Sequence, residues 1–390
     1  MDSFLPKLSA LYPLWLLAAN FVSRLGGMII LLVIGHHFKP DQLADYFTTL
    51  ATIGLVVTAT QAGCGPLLIR LYQGHQFRTS TQIILLRLMI AGVGITTALT
   101  LTDIGFSPVL LMPIAAALAP DWIISGRGQL GKIALIAVFG QLAGIASALI
   151  AMITGNSFAL FAIAPTISLA SLLAAGILAF HPTASPPNNR LPLAKPEPIA
   201  INRYRAVNLI GFTLLAGALP NLDFVLLGEK LGQNEQANLI LAQRVFLIAA
   251  AMIASLSAAL FAKRQSGLLR DIWLMAPALA ITAILFLSPD TIAHLIFDAP
   301  PAGLPDLLRV GAPWPFLLAI LARQILISQE IDNRLFPGWI CLVVLILSGV
   351  MLPVFGTAEN TLIVMQMRFG FCLIVLAACH FVPQWRGQSA

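Results

Sequence analysis

Arg24, Arg244, Arg309 and Arg368 stand inside long apolar runs of a 390-residue chain. At the centre of a membrane each costs about 2.5–3.5 kcal/mol on insertion scales, so such residues face a bundle interior or a wet cavity and mark a substrate path. Guanidinium forks hold phosphate bidentately, and four of them predict a cation-rich cavity for an anionic substrate. Asp223 is the one acid in these runs that offers a partner, too few for the set. Arg87 lies near the inner end of its run and is expected to snorkel to the interface.

Neutral polar groups extend the pattern. Asn20, Ser23 and Arg24 share one helical face of the first run, with Gly27. In the seventh run Asn208 and Thr213 precede Gly217, Pro220 and Asn221, where glycine and proline predict a bend with freed carbonyls. Gly140 and Gly144 in the fifth are a small-xxx-small contact, read as packing. No catalytic constellation accompanies them. HExxH, GxSxG and paired acidic motifs are missing, as is a glycine-rich phosphate loop after a strand. His36-His37 has no partner cluster, and Cys64, Cys341, Cys372 and Cys379 sit in apolar stretches without ligand spacing. Neither enzyme chemistry, nor a metal, nor a cofactor is expected.

The elements that must position these groups follow from composition. Hydrophobic residues make up 58% and charged residues 10% of the chain, with mean hydropathy +0.90. A soluble domain carries about 25% charged residues. Apolar runs fall at about 11–35, 43–62, 82–102, 106–124, 133–153, 157–180, 206–227, 237–262, 272–297, 306–328, 336–356 and 361–382. The expectation is an all-α polytopic membrane protein of about twelve transmembrane helices, with no room for a folded domain outside the bilayer. The first run is too long for a cleavable signal and reads as a permanent helix.

Charge orients the bundle. With the N-terminus inside, inner segments collect sixteen of the 22 basic residues, and the outer loops hold Lys39 and Lys230. Both termini are therefore expected to be cytoplasmic. The net charge of +6 has the same cause and does not call for nucleic acid. A proline-rich segment near the middle reads as an extended cytoplasmic linker, giving lobes 1–180 and 206–390 about a linker at 181–205. Six runs on each side permit a parallel pseudo-repeat. A shift of 193 residues lays Gly35 on Gly228 and Ala44 on Ala237, each within a helix, glycine, short polar loop, helix pattern.

The segment 21–70 resembles the opening of Wzx-type polysaccharide flippases, members of the multidrug/oligosaccharidyl-lipid/polysaccharide (MOP) exporter superfamily. Ser23, Arg24 and Gly27, then Ala44 and Tyr46, then Gly63 and Arg70 carry the likeness. In the second half it is carried by Pro220, Asp223, Gly228, Gly232 and Glu235. Ala237-Asn238-Leu239 replaces the family's frequent Gly-x-Tyr, and Met28–Leu32 lacks the second basic residue of lipid II flippases. The resemblance implies a MATE-like fold in a bacterial inner membrane. It also implies a flippase for a glycan on undecaprenyl diphosphate, serving surface polysaccharide or lipopolysaccharide O-antigen biosynthesis. The implied partners are the lipid-linked oligosaccharide, membrane lipid and a glycan polymerase or export machinery. Two other classes stay open: a MATE-like cation-coupled small-molecule antiporter, and a polytopic membrane enzyme such as a polymerase or ligase. The first relies on membrane carboxylates, which are scarce here. The second typically carries a large catalytic outer loop, and Ser288–Pro305 is only a short acidic, proline-rich one.

Overall fold

A computed structural model describes residues 25–62, 64–73, 75–101, 105–127, 129–180, 203–227, 231, 233–262, 268–330 and 337–381. Among them no strand occurs. Apolar surroundings cannot satisfy an open backbone, so each apolar run closes its own hydrogen bonds as helix. The helices are α1 (Leu25–Gly35), α2 (Pro40–Gln61), α3 (Cys64–Gln73), α4 (Phe77–Leu101), α5 (Leu111–Leu118), α6 (Asp121–Gly126), α7 (Leu130–Thr154) and α8 (Ser157–Phe180). The second half adds α9 (Arg203–Leu227), α10 (Gln233–Ala262), α11 (Leu268–Leu287), α12 (Pro289–Ile296), α13 (Leu304–Val310), α14 (Trp314–Glu330), α15 (Pro337–Met351) and α16 (Ala358–Phe381).

Described helix covers most of eleven of the twelve apolar runs and residues 25–35 of the first, whose earlier part lies outside the described residues. Among the described residues, six helical stretches are long and apolar enough to cross a membrane, and nine are if each bent pair counts as one span. Apolar side chains such as Phe139, Ile153, Leu173, Ile177, Leu347 and Ile374 point outward, which suits a lipid-facing surface. The chain is a multi-pass membrane protein.

Packing divides the described residues into two compact units. The first takes those of Met1–His37 and Thr52–Ile201, the second those of Phe38–Ala51 and Asn202–Ala390. A boundary drawn from hydropathy leaves Phe38–Ala51 with residues 1–180, whereas by packing this strip, which includes the start of α2, joins the second unit. The expected linker lies outside the described residues up to residue 202, and Arg203 already begins α9.

In the first unit α7 and α8 run side by side. Gly140 faces Ser171 and Gly144 faces Ile167 so closely that no Cβ fits at either position, confirming a packing role for both. Gly155 ends α7 in the left-handed conformation (φ 59°), and the Phe158 N–H donates to Asn156 Oδ1 at 2.9 Å to start α8. Arg127 and Lys132 donate to the Ala179 and Leu178 carbonyls, two cations at the C-terminal end of α8. The amphipathic α3, absent from the twelve expected runs, packs on α6 through Leu68, Tyr72 and Trp122.

In the second unit Phe246, Trp314 and Phe369 form a buried aromatic core joining α10, α14 and α16, with ring centroids 5.9 and 5.3 Å apart. Three spans here are bent. Residues Val207–Leu219 and Asn221–Leu227 meet at 60°, α11 and α12 at 91°, and α13 and α14 at 41°. The run expected at 272–297 is thus a span followed by a sharply turned short helix. Pro289, Ala293 and Ile296 of α12 are buried while Asp290 and His294 are exposed.

Candidate functional site: the embedded arginines

Arg368 on α16 meets Asp223 on α9. Its Nη2 donates to Asp223 Oδ2 at 2.5 Å, with the two side chains 5% and 1% exposed. Nη1 donates to the Leu345 carbonyl at 3.3 Å and to Ser348 Oγ at 3.2 Å, both on α15. Asp223 Oδ1 and Arg368 Nε are buried without hydrogen-bond partners. Gly349 lets α15 close over the pair: a Cβ there would lie 2.6 Å from Leu226 Cδ1 and 3.3 Å from Asp223 Oδ1. Asp223 is buried, and Arg368 is not an unmet charge. Pairing, insufficient for all four arginines, holds for this one.

The bend expected in the seventh span is present at Pro220. Asn221 Nδ2 donates to the Gly217 carbonyl at 3.0 Å, so the residue after the proline satisfies an acceptor one turn back. One turn on, Asp223 points at Arg368. Asn208 is buried near the other end of α9, where Trp339 Nε1 donates to the Val207 carbonyl at 2.9 Å.

Arg309 departs from expectation. It closes the short α13, is 48% exposed, and lies 3.9 Å from Asp306, itself 81% exposed. The run expected at 306–328 breaks after Val310, which places Arg309 before the break, at an exposed end. Arg87 departs in the opposite sense. It is 4% exposed, with its Nη2 donating to the Ala116 carbonyl. A helical carbonyl at 116 would accept from the N–H of residue 120, and Pro120 has none. Arg87 takes the acceptor that the proline leaves open between α5 and α6, so it packs inward instead of snorkelling.

Arg244 on α10 has neither remedy. Its Nη2 donates to the Phe47 carbonyl at 2.7 Å, and its Cζ stands 4.9 Å from the Phe47 ring centre. Nε is buried with no acceptor, and no carboxylate pairs with the group among the described residues. Side chains at 239–243 and 245–246 are buried on every face of the helix, yet part of Arg244 remains accessible. Among the described residues, five N–H donors and a full charge thus meet one carbonyl, one ring and the neighbouring Tyr46, with no carboxylate.

The three described candidates share no partner. One is neutralised, one is exposed, one is open. Arg24, Asn20 and Ser23 lie outside the described residues. Sequence reasoning missed Phe47, which has no polar atom on its side chain to draw attention; its signal is its place, beside Tyr46, in a strip that packs with the second unit. No group of three His, Cys, Asp or Glu side chains suited to a metal ion occurs among the described residues.

The chain matches no protein-family model and no curated protein sequence. Solved structures do match. An inward-facing multidrug resistance MATE family transporter of the MOP superfamily aligns with TM-score 0.62 at 15% identity, over 93% of this chain and 95% of that one. An outward-facing conformation of a MATE family transporter of the same superfamily aligns with TM-score 0.55 at 16% identity, over 94% and 96%. A MOP superfamily transporter from Pyrococcus furiosus, described as having a binding pocket of reversed polarity that suggests a different function, aligns with TM-score 0.54 at 14% identity, over 95% and 96%. At these identities the likeness establishes the fold: an all-α, MATE-like bundle across nearly the whole chain.

Proposed function

We propose that this chain is a flippase that moves a glycan carried on a polyprenyl diphosphate across a bacterial inner membrane, with both termini in the cytoplasm. The observation that carries the reading is Arg244, an embedded guanidinium with no carboxylate among the described residues, partly accessible and with its Nε lacking an acceptor. A diphosphate supplies charge and several acceptor oxygens at one point. The fold supports alternating access, since transporters sharing it are known both inward- and outward-facing. Arg24, with Asn20 and Ser23, is proposed to line the same path. The lipid tail stays in the bilayer while the polar cavity replaces water around a headgroup that cannot cross apolar lipid alone. No bond is made or broken.

Cation-coupled drug antiport shares this fold. Asp223, the one buried carboxylate among the described residues of the second unit, is already bound to Arg368, which favours an anionic cargo over a cationic one. A polymerase or export machinery that takes the glycan onward is the partner this reading calls for.

The test is reconstitution in liposomes holding a lipid-linked oligosaccharide on its diphosphate carrier. The expected result is translocation that Arg244→Ala abolishes at normal protein levels. Transport of a cationic dye, with no movement of the lipid, would overturn the reading.

A further inference from the structure

Arg244 holds a residue from the opening of α2. Phe38–Ala51 packs with the second unit, while α2 from Thr52 onward belongs to the first. In that strip Phe38, Leu43, Tyr46 and Phe47 are buried, and the Tyr46 and Phe47 rings stand 5.1 Å apart. Arg244 adds a polar tie to this apolar seat, through the Phe47 carbonyl and ring.

Neither contact is a strong one for a guanidinium. The Phe47 carbonyl lies within helix and already has a place in the i to i+4 ladder, so Arg244 shares it. A ring face attracts a cation without neutralising it. The buried Nε has no acceptor at all. A phosphate group offers parallel charge-assisted hydrogen bonds to a guanidinium edge, and outcompetes a shared carbonyl and a ring together.

We infer that Arg244 is a two-state clasp: without ligand it holds Phe47, and with it Phe38–Ala51, in the second unit, and a diphosphate headgroup displaces both Phe47 contacts and frees the strip. This rests on the reading of Arg244 as the anion-binding residue. Headgroup binding and release of the first half of α2 are then one event, and a ligand shifts such an equilibrium only by its preference for one state. Weakening the clasp therefore tightens binding. The ring's share corresponds to roughly fivefold in affinity.

The experiment uses the full chain in lipid nanodiscs with farnesyl diphosphate as the probe. Phe47→Leu keeps the carbonyl and most of the apolar volume and removes the ring. It is expected to bind the probe about fivefold more tightly than the unaltered protein, whereas Arg244→Ala loses binding and Arg244→Lys retains part of it. Spin labels at the exposed positions Asp45 and Glu235 are expected to move apart when the probe is added. Absence of binding by the unaltered protein, or equal binding by Arg244→Ala, overturns the reading of the site and the clasp with it. Loss of binding in Arg244→Ala, with Phe47→Leu unchanged and the label distance constant, overturns the clasp alone. Should Phe47→Leu fail to fold, the label distance with Phe47 in place decides.

Discussion

Arg368 and Asp223 lie on helices 145 residues apart in the chain and meet at 2.5 Å, almost wholly buried. Breaking a buried pair strands the remaining charge, at about 3–5 kcal/mol, whereas replacing both partners by apolar groups is often neutral or better. Asp223→Asn and Arg368→Met are thus each expected to lower stability by about that much. The double variant Asp223→Leu with Arg368→Met should recover most of it, read by unfolding in detergent. A double variant as unstable as the worse single one would mean the pair does more than neutralise itself. Arg309 carries the opposite expectation. Its exposed contact with Asp306 is worth about 0–1 kcal/mol, so Arg309→Ala should leave both stability and glycan transport near normal; lost transport at normal protein levels would return Arg309 to the path. That acids were scarce in the apolar runs was legible from residue types alone. Which arginine the one acid served was not, because it depends on which faces of α9 and α16 meet.

Among the elements, the helices followed hydropathy closely while their breaks followed single residues. Pro220 was readable as a bend, and the 60° angle there agrees. The break at Pro120 went unread because Arg87, which closes it, comes from α4. Arg87→Met leaves the Ala116 carbonyl buried without its partner, a cost of about 1–3 kcal/mol for such a group. Adding Pro120→Ala restores the N–H that this carbonyl lacks, so the double variant is expected to be more stable than Arg87→Met alone, by thermal unfolding in detergent. No recovery would show that Arg87 acts through something other than the break. α3 escaped a search for long apolar runs because it has ten residues, too few for a span, and carries Arg70 within them.

Across the whole molecule, one pair of helix starts falls at the offset of the expected repeat. α2 begins at Pro40 and α10 at Gln233, the 193-residue offset read from the glycine and alanine matches. Charge asymmetry supports a topology with inner termini, and it has a direct check. Single cysteines at Asp290 and Asp306, both exposed, are expected to react with an impermeant maleimide from outside intact cells. A cysteine at the exposed Arg78 should react only after permeabilisation. The reverse pattern would invert every loop.

Composition and periodicity by themselves determined that the chain is a helical membrane protein, because the cost of bare backbone and of misplaced charge in lipid acts on each segment separately. They also located the charges that needed explaining. Only the tertiary structure decided their fates, since neutralisation by Asp223, capping of a broken helix by Arg87 and the open grip of Arg244 on Phe47 are relations between segments. Hydrogen bonding and charge pairing act over a few ångströms, and no property of a single run records which other run will come that close.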